Sequence, residues 1–67
     1  MYGRIYITQG AYTRSFQCNH TDRIYSELID IGFLHEKAED IASWAELASI
    51  GAEYITSMPG VKIYIDE

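Results

Sequence analysis

The sequence predicts an α+β fold: a small two-layer sandwich in the order ββααβ, made of an N-terminal β-hairpin, two helices and a C-terminal strand, with a fourth short strand expected near residues 54–57. Two observations carry most of this. Residues 35–50, HEKAEDIASWAELASI, repeat apolar positions every three or four residues, whereas residues 2–17 and 61–66 alternate with period two. The third is an echo. KIYID at 62–66 matches RIYIT at 4–8, so both strands turn paired isoleucines to one side and a basic residue with tyrosine to the other. They are expected to be neighbours in one sheet.

From Tyr2 to Thr8, Ile5 and Ile7 face one way and Arg4, Tyr6 and Thr8 the other, the pattern of a half-buried strand. Gly10 can take the positive φ of a tight turn, and Ala11 to Gln17 alternates again with Tyr12, Arg14 and Phe16 on one side, so a hairpin from Tyr2 to Gln17 follows. Asn19, Thr21 and Asp22 are each good N-cap residues. One of them is expected to start a helix running to about Ile31, with Ile24, Leu28 and Ile31 as its core stripe, widened by Tyr25 and Ile29. Gly32 should end it and Phe33 fold back over its last turn.

Only Gly32, Phe33 and Leu34 separate this helix from the next, which makes a helical hairpin or corner. In the second helix Leu34, Ala38, Ile41, Ala42, Ala45 and Ala48 form the expected buried stripe, flat because four of the six are alanine, with Ile41 as the main knob. Glu36, Glu39, Asp40, Ser43 and Glu46 lie opposite. The early acids suit the positive end of the helix dipole, and Gly51 is expected in the left-handed position that closes the helix. Then come a short extended piece at Ile55–Thr56, a Met58-Pro59-Gly60-Val61 turn and the last strand. The helices should cover the isoleucine face, leaving Arg4, Tyr6, Thr8, Lys62, Tyr64 and Asp66 on the other.

A chain of 67 residues reads as a single domain, 1–67, with a marginal core, because only about 60% of the unfolded surface is buried at this size. The composition, 48% hydrophobic and 22% charged, is that of a folded domain. Cys18 is the sole cysteine, so packing must serve where a disulfide cannot. Together with the absence of a signal-peptide pattern in MYGRIYITQG and of any membrane-spanning stretch, this leads us to expect a cytoplasmic protein with no membrane partner. Net charge is −5 and unevenly placed: residues 1–21 hold two arginines and no acid, and residues 22–67 hold all ten acids against three cations. Direct binding of nucleic acid is disfavoured and a basic partner surface favoured.

Chemical motifs are sparse. Cys18, His20 and His35 are zinc-type donors, yet no fourth ligand has diagnostic spacing, so no metal and no cofactor are expected. The Cys18–His20 pair also suggests an activated thiolate, but nothing supplies a pocket or oxyanion site, and no catalytic residue is assigned. Glu36, Glu39, Asp40 and Glu46 have only Lys37 to offset them on their helix; they read either as a solvated face or as a site for an Arg/Lys-rich partner. Trp44 sits at the edge of the buried stripe, with Leu47 and Ile50 off it; it is either core or an anchor. Tyr6 and Tyr64 are either strand formers or contact residues.

The block from Gly32 to Tyr54, GFLHEKAEDIASWAELASIGAEY, resembles segments of small acidic proteins carried by phages and mobile elements. In size, acidity and lack of catalytic residues the chain also resembles anti-CRISPR and other anti-defence inhibitors. That resemblance implies a protein that binds a nuclease and blocks its nucleic-acid channel or conformational change. The expectation is a non-enzymatic inhibitor of a basic nucleic-acid-binding protein such as a CRISPR effector nuclease. Glu36, Glu39, Asp40 and Glu46 would be phosphate surrogates, with Trp44, Tyr6 and Tyr64 as anchors. The alternative is a self-associating regulatory or structural module, a homodimer built on the tyrosine-bearing sheet face or an open strand edge.

Overall fold

The isoleucine alternation sets the frame of the fold. A computed structural model describes residues 3–67, with strands β1 (Arg4–Gln9), β2 (Tyr12–Gln17), β3 (Glu53–Tyr54) and β4 (Val61–Asp66) and helices α1 (Thr21–Ile31) and α2 (His35–Leu47). The sheet is antiparallel throughout, in the order β2-β1-β4-β3. As expected, β1 and β4 are neighbours. Ile5 stands opposite Ile65 and Ile7 opposite Ile63, and all four are buried beneath the helices. Each such side chain stabilises the fold by about 1.5–3 kcal/mol relative to leaving it in water.

The first strand begins at Arg4; the expected participation of Tyr2 lies outside the described residues. Gln9 pairs with Tyr12 across a two-residue loop whose first residue, Gly10, has φ 60°. Gly3, just before β1, is buried, and a Cβ there would lie 2.9 Å from Ile65 Cγ2 and 3.0 Å from the Asp66 carbonyl oxygen. Glycine is what lets the two backbones approach.

The start of α1 differs from expectation. Neither Asn19, Thr21 nor Asp22 is the N-cap; His20 occupies that place without a side-chain cap bond. The reason lies in β2. Cys18 still donates to the Gly3 carbonyl (3.3 Å), so the chain must reverse within a turn closed by the His20 N–H on the Gln17 carbonyl (2.9 Å). Asn19 is spent in that turn, and Thr21 and Asp22 already lie inside the helix. Ile24 and Leu28 are buried, Tyr25 and Ile31 half-buried, while Ile29 faces outward instead of widening the core stripe. Gly32 (φ 121°) ends α1, and the Phe33 N–H returns to the Leu28 carbonyl (3.0 Å) with its ring buried.

Ala38, Ile41, Ala42 and Ala45 form the buried stripe of α2. Leu34 does not join them; it is the extended N-cap residue and is 80% exposed. The far end also differs, because α2 stops at Leu47 and Ala48 is extended (ψ 147°). Gly51 (φ 96°) therefore closes no helix; it sits in the Ser49–Ala52 turn, whose Ala52 N–H donates to the Ser49 carbonyl (3.0 Å). That turn feeds β3, which occupies 53–54 rather than 54–57, since the Ile65 N–H is already taken by the Ala52 carbonyl (2.8 Å) and fixes the register early.

This packing separates core from surface sharply. Ile63→Ala is expected to lower stability by about 2–5 kcal/mol, whereas Leu47→Ala should stay within about 0.5 kcal/mol. Urea unfolding monitored by circular dichroism checks the contrast.

Candidate functional site

The two layers divide the charge. The helices α1 and α2 contain seven acids against Arg23 and Lys37, while the other described residues contain Glu53, Asp66 and Glu67 against Arg4, Arg14 and Lys62. The helical layer thus holds the whole net charge of −5. A core packed against a neutral sheet leaves those carboxylates only one direction, outward.

On α2, Glu36, Glu39, Asp40 and Glu46 are all exposed, as expected from the sequence. Leu47 follows Ser43 by four residues and Asp40 by seven, so it shares their outer ridge, and it is 88% exposed. Ile50 is also exposed but lies beyond the end of α2, with its Cγ1 3.2 Å from where a Cβ on Gly3 would be, and Trp44 is half-buried. Glu36 and Glu46 have no hydrogen-bonding or ionic side-chain partner among the described residues. Glu39 is met by His35 Nε2 at 3.1 Å, and the other ring nitrogen of His35 contacts the Tyr25 hydroxyl, tying α2 to α1.

Asp40 and Trp44 are held by a residue to which the sequence reading assigned no specific role, Tyr54 of β3. Its hydroxyl donates to Asp40 Oδ2 (2.7 Å), its ring meets Trp44 edge-on at 5.2 Å between centroids, and Lys37 Nζ lies 5.9 Å above it. The bond to Asp40 raises the Tyr54 pKa above its ordinary value, with burial and the Asp40 charge adding to the effect and Lys37 opposing it. Leu47 falls off the buried stripe already in the sequence pattern, beside the acidic row, and its exposure agrees. The link to Tyr54 crosses a loop and a strand, so no local signal announces it.

Tyr6 and Tyr64 lie elsewhere. They face each other across β1 and β4 on the helix-free side of the sheet, with rings stacked at 5.2 Å and 8°, and the Tyr6 hydroxyl donates to the Glu67 carbonyl (2.7 Å). The sheet separates them from α2. The seven expected contact residues therefore form two surfaces, with Glu36, Glu39, Asp40, Trp44 and Glu46 on one and Tyr6 and Tyr64 on the other.

Cys18 is buried, and desolvation pushes its thiol pKa up against a smaller opposing pull from Arg4, the reverse of an activated thiolate. Among the described residues no three His, Cys, Asp or Glu side chains are grouped to hold a metal ion, and no helix is long and apolar enough to cross a membrane. Comparison with protein-family models, curated proteins and solved structures gave no match.

The Tyr54 pKa has a consequence for stability. Because the folded-state value lies above the unfolded one, the Asp40 bond stabilises the fold below pH of about 10, and its contribution is lost as pH rises through the raised value. Asp40→Ala should move this transition down toward the ordinary tyrosine range. Alkaline titration followed by Trp44 fluorescence, which a neighbouring tyrosinate quenches, is expected to shift in that variant and to lose this component in Tyr54→Phe.

Proposed function

We propose that the protein is a non-enzymatic inhibitor that docks the outer face of α2 on a basic, nucleic-acid-binding surface of a nucleic-acid-processing defence protein, in the manner of anti-CRISPR proteins acting on effector nucleases. The observation that carries this reading is the row of exposed carboxylates on α2, Glu36, Glu39, Asp40 and Glu46, of which Glu36 and Glu46 have no side-chain partner among the described residues, with the exposed Leu47 at the end of the Asp40–Ser43 ridge. An interface uses such a leucine as an apolar anchor within a charged rim.

The charge density of the acids supports phosphate mimicry. From Glu36 to Glu46 is about 15 Å of helix axis. Four carboxylates over that length average about one charge per 4–5 Å of axis, unevenly placed, a linear density comparable with the ~3.4 Å of duplex axis per phosphate on one DNA strand. Concentration of the net charge on one layer would steer this face toward a positive surface and make association salt-sensitive. Trp44, fixed by Tyr54, would add a rigid aromatic flank. The sheet face is less suited to the task, since Tyr6 and Tyr64 cover each other and its charges are mixed.

The test uses purified CRISPR effector nucleases as candidate partners. Binding is expected to be displaced by the nuclease's own DNA, to weaken with rising salt, and to fall at least about tenfold in Glu36→Lys/Glu46→Lys. Those two positions are chosen because neither carboxylate has a hydrogen-bonding or ionic side-chain partner among the described residues; the lost helix-dipole interaction of Glu36 costs at most about 1 kcal/mol of stability, which an unfolding curve of the variant separates from binding. Leu47→Ala should weaken binding without changing its salt dependence. Binding that survives the charge reversal and ignores DNA would defeat the proposal.

A further inference from the structure

Strand β2 leaves one edge of the sheet open. The Gln9–Tyr12 loop closure and the Cys18 N–H bond to the Gly3 carbonyl fix the phase of the β1–β2 ladder, so Tyr12, Arg14 and Phe16 turn their backbone groups to β1 and Thr13, Ser15 and Gln17 turn theirs outward. No described strand lies beyond β2. All six of its residues keep regular register with β1, and it has neither a bulge nor a proline to blunt it. Arg14, the one charge on the strand, is turned toward α1 and paired with Glu27.

This edge is rich in donors. The Gln17 carbonyl is taken by the His20 N–H at 2.9 Å, and the Ser15 carbonyl accepts from Arg4 Nη2 at 3.3 Å, while the outward N–H groups of Thr13, Ser15 and Gln17 have no acceptor among the described residues. Arg4 and Arg23 lie at this edge, Arg4 on the helix-free side and Arg23 on the helix side, where Asp22, Glu27 and Asp30 of α1 are also near Phe16. Arg4 reaches across β2 to Ser15 Oγ (3.2 Å), and a shallow cleft beside the strand is lined by Arg4, Ser15, Phe16, Gln17, His20 and Arg23. With Arg14 paired to Glu27, Arg4 and Arg23 are the two arginines that flank the strand.

We propose that the outer edge of β2 is a docking site for an extended, carboxylate-bearing peptide segment, which adds to the sheet as a fifth strand. Its carbonyl oxygens meet the N–H groups of Thr13, Ser15 and Gln17, and its carboxylates are taken by Arg4 on the helix-free side and Arg23 on the helix side. A second copy of this chain fits less well. Pairing β2 with itself would oppose one donor-rich edge to another and bring two Arg4 guanidinium groups together about Ser15. The site differs from the α2 face in position and in the sign of charge it selects, so the two readings stand or fall separately.

The probe is a short capped peptide of alternating valine and glutamate, compared with its lysine counterpart. Amide hydrogen exchange at Thr13, Ser15 and Gln17 is expected to slow at least about tenfold with the glutamate peptide and to be unchanged by the lysine peptide. Arg23→Glu should weaken the glutamate peptide about tenfold, a change of ~1.4 kcal/mol. Ser15→Pro removes one outward donor at an edge position that tolerates proline, and should abolish binding with β1 pairing intact. Three results would overturn the proposal: no protection with either peptide, equal protection with both, or protection that grows with protein concentration alone, which would make the occupant a second copy.

Discussion

Everything in this fold depends on the seam between β1 and β4, where Ile5 meets Ile65 and Ile7 meets Ile63. Four branched side chains on one face of two adjacent strands need a cover, and the two helices of the described residues supply it. The alanine stripe of α2 answers that need, because Ala38, Ala42 and Ala45 let the helix lie close and Ile41 fills the remaining space. Once that stripe is committed to the sheet, every carboxylate of α2 must point to solvent. The acidic face follows from the geometry of the core.

The same commitment explains why the two ends of α2 differ from the periodic pattern. Leu34 and Ala48 are in phase with the stripe, but Leu34 precedes the first helical turn and Ala48 is already extended toward β3. Periodicity identifies the face of a helix; its ends are set by what the chain must do next. Here α2 must release the chain in time for the Ala52 carbonyl to reach the Ile65 N–H. The N-terminal end of α1 is governed in the same way, by the ladder bond at Cys18.

The two-layer fold, the β1–β4 adjacency, the Gly32–Phe33 cap and the exposed acids were legible because each rests on local spacing or on a residue with one clear conformational use. The candidate site was only half legible. Glu36, Glu39, Asp40 and Glu46 could be assigned to one helix face from their numbers alone, whereas the bond from Tyr54 to Asp40 depends on a two-residue strand whose position is fixed by tertiary pairing. Tyr6 and Tyr64 looked like companions of the acidic helix, yet strand alternation already put them opposite the isoleucines, and the sheet keeps them away from α2. The resulting molecule is polar in a simple sense, with a strongly acidic helical layer, a mixed sheet face and a donor-rich edge at β2.

The most direct test of this account is an amide chemical-shift titration of the protein with a short oligoarginine peptide at low salt. The account predicts perturbations concentrated at Glu36, Asp40, Ser43, Glu46 and Leu47 and reversed by added salt. Perturbations centred instead on the sheet face around Tyr6, Tyr64 and Asp66, or spread evenly over the surface, would contradict the claim that the outer face of α2 is built to meet a basic partner.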